Sequence, residues 1–595
     1  MPTAKQTILA ARAPSEARLA LRQCAGGFAF VALFSGLINL LGLTGSLYML
    51  QVYDRVLPSH SVPTLIVLSI AMIGLYVFYG LLDMIRQRLM IRIGKRFDRR
   101  LQPSVLALSL ALPLSMGSEG ARIQPIGDLE QIRNFIGSTG PTAFFDLPWL
   151  PLYLCGIYLL HPYLGLLGTV GAIISLLFTL LAEGLSRAPA RRAAESAIAR
   201  RQMAEAARRN AEVVRALGLG TRIGELWRER SAAFLSDQLR ISDVIGLSSA
   251  LSRTWRLILQ SLMLGLGGYL VIMDEASGGV IIASSIMLTR ALSPVDVAIA
   301  NWRSFSAARQ AYARLDNLLR TVGIPQEKVG LPRPAATLRV EGLAVGAPGQ
   351  QRPIVQAASF ALDAGAGLGV IGPSASGKST LARALVGAWT PMRGKIRLDG
   401  AALDQFDAAA LGRDMGYLPQ DVELFEGTVA ENISRFAADQ DSEAVLRAAE
   451  AAGIKDMILR LPDGFQTQIG DGGMALSAGQ RQLVGLARAL YGDPFLVVLD
   501  EPNSNLDADG DAALGSAIRN VRQRGGIAIV IAHRPSALLH LDQVMVMADG
   551  MIKAFGPKDE VLAQMTRPPS PPPRPDVPPP NGPRGPIVVP LHERR

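Results

Sequence analysis

The residues of this chain whose types and spacing suit chemistry lie in its second half and concern phosphate. From Gly372 to Ser379 the sequence GPSASGKS fits the pattern G-x-x-x-x-G-K-[ST]. The loop of Gly372, Pro373, Ser374, Ala375, Ser376 and Gly377 can present backbone N–H groups to phosphate oxygens. Lys378 would reach the β- and γ-phosphates, Ser379 would ligate Mg²⁺, and Thr380 continues the nucleotide-binding run. Further on, PFLVVLDE ends in two carboxylates, with Asp500 placed to hold Mg²⁺ and Glu501 to polarise an attacking water. The run IAIVIAH ends in His533, which suits contact with a γ-phosphate. A further stretch, Leu476, Ser477, Ala478, Gly479 and Gln480, looks like a second helix start able to direct N–H donors and a positive dipole end at phosphate.

These groups need rigid elements behind them. GLGVI before the loop, LVVLD before Glu501 and IAIVI before His533 are short apolar runs that read as buried strands, and STLARALVG after the loop reads as an amphipathic helix. Together they predict an α/β P-loop domain with nucleotide at the carboxyl ends of its strands.

The first half has a different character. The chain has 595 residues, 49% hydrophobic, with a net charge of +10 and a mean hydropathy of +0.26, which is high for a wholly soluble protein. Apolar runs at Phe28–Leu50, Thr64–Leu82, Phe144–Leu160, Tyr163–Ala182, Leu257–Met273 and Val280–Val297 predict six transmembrane helices, the third and fourth divided at His161-Pro162. Arginines crowd the segments from Arg86 to Arg133 and from Glu183 to Arg256, while the alternate connections carry little basic charge, Arg55 in the first of them. That asymmetry places both termini in the cytoplasm. It also assigns the basic charge to a membrane-side face; no aromatic-interleaved basic module points to nucleic acid. Cys24 and Cys155 lie in apolar runs and read as packing residues. Cys24–Leu50 is too long for the apolar part of a cleavable signal peptide. The segment Glu183–Arg256 reads as one long helix continuing the spans on either side. The expected domains are a cytoplasmic N-terminal segment 1–23, a six-helix membrane domain 24–305, a connector 306–336, a nucleotide-binding domain 337–565 and a proline-rich disordered tail 566–595.

Gly372–Ser379, Gln420 in GYLPQDVELFEGT, LSAGQ at 476–480, LVVLDE at 496–501, SNLD at 504–507 and His533 resemble, in order and spacing, an ABC-transporter ATPase. The resemblance implies ATP and Mg²⁺ as cofactors, with Gln420 sensing the metal and the γ-phosphate. It places Asp507 at a dimer interface, and Ser477, Gly479 and Gln480 on the nucleotide of the other subunit of a homodimer. Ala478 stands where the commonest family form has glycine. The family's adenine-stacking aromatic is missing between Val340 and Pro353, so an aliphatic contact such as Val345 is expected to substitute. LYMLQVYDRVLPSHSVPTL and FFDLPWLPLYL are similar to the permease/ATPase of type I protein secretion systems, of the PrtD type. This implies a bacterial inner-membrane exporter of an unfolded protein carrying a C-terminal signal, a protease, calcium-binding repeat protein or glycanase. A periplasmic adaptor and a TolC-like outer-membrane channel would complete the conduit. No peptidase domain precedes the first span, so leader cleavage is not expected. Coupling to the membrane half is expected near Gly127–Arg133 and Val213–Leu219. A lipid or drug exporter of the same half-transporter plan is the alternative.

Overall fold

The structure, a computed structural model, describes residues 15–322, 328, 330–473, 475–532 and 535–566. His533 and the tail from Arg567 lie outside the described residues. The chain divides into two units, Met1–Gln326 and Glu327–Arg595.

The first unit is helical, as apolar segments in hydrocarbon must be if each is to satisfy its own backbone hydrogen bonds. Helix α1, Glu16–Gln23, precedes α2, Ala25–Gly42, and α3, Thr44–Gln51. A π-helical turn, Val52–Val56, and a last turn, Leu57–Ser59, extend α3. Arg55, expected in an outer loop, is therefore helical; the reversal is confined to His60 (φ 50°) and Ser61, which caps α4, Val62–Met116. At 55 residues α4 is roughly 80 Å long at 1.5 Å per residue, far more than a bilayer needs. The basic stretch after Arg86 is thus the continuation of the second span. Helix α5 is Pro125–Ile136; a short helix, Thr142–Asp146, then leads to α6, Leu150–Leu160. His161 is extended (φ −163°, ψ 134°) and α7, Pro162–Arg209, starts at the next residue, since the ring of a proline disfavours helix in the residue before it.

Glu183–Arg256 is not one helix. After α7 come α8, Ala211–Ala216, and α9, Gly220–Ile272. Gly218 at φ +64° makes the reversal, a conformation open to glycine without a Cβ penalty. The arms on both sides are strong helix formers, so periodicity alone runs straight through the turn. Helix α10 is Gly278–Ala300 and α11 is Trp302–Thr321. Among the described residues five helical segments are long and apolar enough to span a membrane, and Pro162–Phe178 at the start of α7 is a sixth apolar stretch. Exposed Phe30, Ile70, Val77, Leu177 and Leu262 form the kind of surface that lipid covers.

The segment expected to begin a connector at 306 is instead part of α11. Its Ala308, Ala311, Leu315 and Leu319 are buried. Ala311, Leu315 and Leu319 share a core with Ala17 and Ala20 of α1, Phe97 and Leu101 of α4, and Leu129 and Ile132 of α5. Residues 127–133, expected to couple, lie on α5, where Asp128 is buried and accepts from Arg314 at 2.5 and 3.2 Å.

The two motifs noted in the first half are pinning devices. Asp54, from the π turn, accepts from Ser277 Oγ (2.7 Å) and Gly279 N (2.9 Å), placing a carboxylate on the N-terminus of α10. Asp146, from FFDLPWLP, accepts from Arg86 (2.8 Å) and Asn39 (2.9 Å). Arg86 also reaches Asp83 (2.7 Å) and Ser35 (2.9 Å), and it is only 7% exposed. Breaking a buried pair from one side strands the other charge, at a cost of about 3–5 kcal/mol. Arg86→Met is therefore expected to lower the unfolding temperature of the purified protein sharply, and adding Asp146→Asn to restore part of the loss. Equal damage in the single and double variants would show the pair to be uncoupled.

In the second unit a four-stranded antiparallel sheet, β2-β1-β4-β5, is built from β1 Thr337–Val345, β2 Val355–Asp363, β4 Arg393–Leu398 and β5 Ala401–Ala402. The second sheet has the order β10-β9-β3-β8-β7-β6. Its members are β3 Gly367–Ile371, β6 Met415–Leu418, β7 Leu496–Asp500, β8 Ile527–Ile531, β9 Gln543–Ala548 and β10 Met551–Pro557. All its pairings are parallel except β9 with β10. β7 and β8 are buried along their whole length, which is why they appear as unbroken apolar runs rather than alternating ones.

Candidate active site

The order β3-β8-β7 brings two loops together at one edge of the sheet. Val370 pairs with Ile531 across β3 and β8, and Asp500 with Ile531 across β8 and β7. The Gly372–Gly377 loop therefore leaves β3 level with the carboxylates that end β7. Gly377 at φ +96° turns the loop into α12, Lys378–Leu385; a Cβ there would also press on Val355 at 3.0 Å. The Lys378 ammonium lies across the loop, donating to the carbonyls of Gly372 and Pro373 at 2.9 Å each. Burial pushes its pKa down, while Glu501 and Asp500 pull it up.

Ser379 Oγ donates to Asp500 Oδ1 at 3.2 Å. Burial pushes the Asp500 carboxyl above the ordinary range, opposed by the Ser379 bond, and the adjacent Glu501 raises it further. Asp500 Oδ2 and Ser376 Oγ are both buried without a hydrogen-bond partner, two of only five such side-chain atoms among the described residues. A desolvated carboxylate oxygen beside a serine hydroxyl is the donor set of a hard divalent cation, and an orphaned hydroxyl in the loop suits a phosphate oxygen. The residues present thus fit Mg²⁺ and a nucleotide. Glu501 takes φ 50°, uncommon for a residue with a side chain, and Gln420 donates to its Oε2 at 3.2 Å.

Gln482 was not singled out from the sequence. It is 2% exposed, and its amide donates to Glu501 O (3.1 Å), Pro502 O (2.6 Å) and Ser504 Oγ (3.2 Å) while accepting from Asn505 N (3.1 Å). One side chain thus fixes the backbone that carries the carboxylates. Its only sequence signal is a glutamine on the otherwise apolar buried face of α13, Ala478–Leu490. Gly485 on the same helix lets Val422 approach, since a Cβ would meet it at 2.7 Å, and so packs α13 beneath the segment that follows Gln420.

The second helix start is a helix N-terminus in the strict sense. Ser477 Oγ accepts from Gln480 N (3.2 Å) and Gln480 Oε1 from Ser477 N (2.9 Å), a reciprocal capping box. Leu476 is buried and anchors the turn, while Ser477 and Ala478 are exposed. A Cβ on Gly479 would lie 2.9 Å from Asn505 O, so glycine permits the contact with the SNLD segment. Asp507 caps α14, Ala508–Gln523, by accepting from Gly510 N at 2.9 Å. Val345, expected to substitute for an adenine-stacking ring, is fully buried in the core shared by β1 and β2 and offers no surface to a base.

For a carboxylate whose folded pKa is raised, the penalty is absent below the unfolded pKa and grows as pH rises through the folded one. In nucleotide-free, metal-free protein, Asp500→Asn is therefore expected to raise the unfolding temperature of the ATPase unit by a few degrees at pH 7, with the gain vanishing towards pH 4. Calorimetry across that range checks it, and a gain independent of pH would contradict the assignment.

Residues 355–504 match the family model described as ABC transporter, and residues 28–293 the one described as ABC transporter transmembrane region. The type I secretion system ATP-binding protein PrsD of Rhizobium meliloti (strain 1021) is 52% identical over 92% of this chain and 94% of its own length. The alpha-hemolysin translocation ATP-binding protein HlyB of Escherichia coli O157:H7 is 26% identical over 89% of this chain and 75% of its own. Among solved structures, a bacterial Atm1-family ABC exporter with ATP bound superposes with a TM-score of 0.79 at 23% identity, covering 91% of this chain and 96% of that one.

Proposed function

The chain belongs to the ABC transporter family, among the ATP-binding proteins of type I secretion systems, and from that premise we propose that it exports an unfolded polypeptide from the cytoplasm. It is an ATPase coupled to transport and a multi-pass membrane protein. The observation that carries the reading is 52% identity to a type I secretion protein along 92% of the chain, membrane half included. In this reading the protein sits in the bacterial inner membrane with its ATPase unit and both termini cytoplasmic. It works with a periplasmic adaptor and a TolC-like outer-membrane channel, on a substrate with a C-terminal signal.

In the proposed reaction the loop 372–377 and Thr380 seat the triphosphate, Lys378 neutralises its β- and γ-oxygens, and Ser379, Asp500 and Gln420 would hold Mg²⁺. Bound Mg²⁺ supplies charge neutralisation of the β- and γ-phosphate oxygens. Glu501 orients and polarises the attacking water, with its backbone fixed through Gln482. His533 contacts the γ-phosphate. The exposed start of α13 is taken to act on the ATP of a second copy, with Asp507 at the interface, because Ser477 and Gln480 satisfy one another within the chain and leave the dipole end facing outward. Coupling is assigned to the helical segments near Gly127–Arg133, on α5, and Val213–Leu219, at the end of α8.

Comparing the proteins released by cells with and without this chain tests export, under conditions in which it is expressed. At least one secreted polypeptide is expected to disappear from the medium and to return with the wild-type gene but not with Glu501→Gln. An unchanged set would reject the reading. A mixed dimer of Lys378→Ala and Ser477→Arg chains tests site sharing: both lesions fall on one composite site, so hydrolysis is expected to exceed that of either homodimer. Hydrolysis no higher than in the homodimers would count against shared sites.

A further inference from the structure

Charged groups on membrane helices are costly and are held in pairs where they are structural. In the membrane half four acidic groups in or beside the apolar runs follow that rule. Asp83 and Asp146 are held by Arg86, Asp296 by Arg256 and by Ser252 (3.3 Å), and Asp54 by the start of α10. Arg290 is different. It stands in the middle of the 23-residue α10, in the sequence MLTRAL, and forms no ion pair among the described residues. Its guanidinium touches one group, Tyr79 of α4: Nη1 is 3.5 Å from the hydroxyl, and the guanidinium carbon is 5.6 Å from the ring centre.

A guanidinium carries five N–H donors, so most of those of Arg290 are left open. The neighbouring helix face is not where it points. Met287, Leu288, Ala291 and Leu292 pack into a core with Ile157 and Met263, whereas Arg290 is half-buried and reaches across to the second span.

We propose that Arg290, with the Tyr79 hydroxyl beside it, is an anion subsite in the membrane half that takes carboxylate side chains of the exported polypeptide. This rests on the export reading above. The export reading selects the ligand. Arg290 stands ten residues from the Val280 end of the sixth apolar run and meets Tyr79 of the second, and an extended chain crossing the membrane half brings its side chains past that level. A planar guanidinium beside a phenol is matched to a carboxylate by bidentate, charge-assisted hydrogen bonds.

The test uses the full chain in lipid nanodiscs and two fluorescent, unstructured peptides of equal length built from glycine, serine and leucine, one with regularly spaced aspartates and the other with asparagines in their place. Wild type is expected to bind the aspartate peptide about tenfold more tightly, the value of one charge-assisted contact. Arg290→Gln should remove the preference, and Arg290→Lys, which keeps the charge but not the planar fork, should keep only part of it. Tyr79→Phe, which keeps the ring and removes only the hydroxyl, should reduce it about threefold and serves as the second variant if Arg290→Gln does not fold. Equal binding of both peptides by wild type, or a preference that survives in Arg290→Gln and Tyr79→Phe alike, overturns the subsite and leaves the export reading standing. Wild type binding neither peptide also overturns the subsite, while the export reading stands or falls on the comparison of released proteins.

Discussion

Much of the second unit is arranged around one constraint: a carboxylate has to be held desolvated at the end of a buried parallel strand, next to a serine from a different loop. Asp500 is 1% exposed and its Oδ1 accepts from Ser379. Burial in that position is unfavourable for the free protein, and a cation held there would offset the cost. Register does the placing. Because β3, β8 and β7 run parallel and in step, the phosphate loop and the carboxylate pair emerge at one level. A register slip by one residue would turn Asp500 to the opposite face.

Precision at that edge comes from side chains that do no chemistry themselves. Gln482 ties the backbone of Glu501, Pro502 and Asn505 to α13, and Gly485 seats the same helix against the segment following Gln420. The helix whose N-terminus carries Ser477 is thus the one that braces the carboxylate strand end. A shift of α13 would move Glu501, Gln420 and the SNLD segment together, which gives a physical route for a change at the start of α13 to be felt at Glu501. The capping box closed by Ser477 and Gln480 keeps that helix start formed in the free chain.

The membrane half follows a related economy in a medium with less tolerance for unpaired charge. Asp54 caps a helix start, and Asp146 gathers Arg86 and Asn39, so that α2, α4 and the start of the third span are joined by one polar cluster. Such groups are poor sources of stability but specific ones, since mispairing leaves a buried charge alone. Arg290 stands out against this background because, among the described residues, it forms no ion pair and its guanidinium meets the Tyr79 hydroxyl.

Local patterns were readable from the sequence because their causes are local. The phosphate loop and the helix start at Ser477 are set by a few consecutive residues, and apolar run length fixed the spans and the break at His161-Pro162. The reach of α4 beyond the bilayer, the reversal at Gly218 and the inclusion of α11 in the first unit were not readable, since helix propensity is equally high on either side of those boundaries. Val345 likewise belongs to a core that only the pairing of β1 with β2 creates. Motifs such as VYDRV and FFDLPWLP announced polar residues in apolar surroundings. Only the tertiary structure decided that Asp54 meets Gly279, that Asp146 meets Arg86 and that Gln482 meets Glu501, because periodicity reports which face of an element is apolar and says nothing of which distant group it will face.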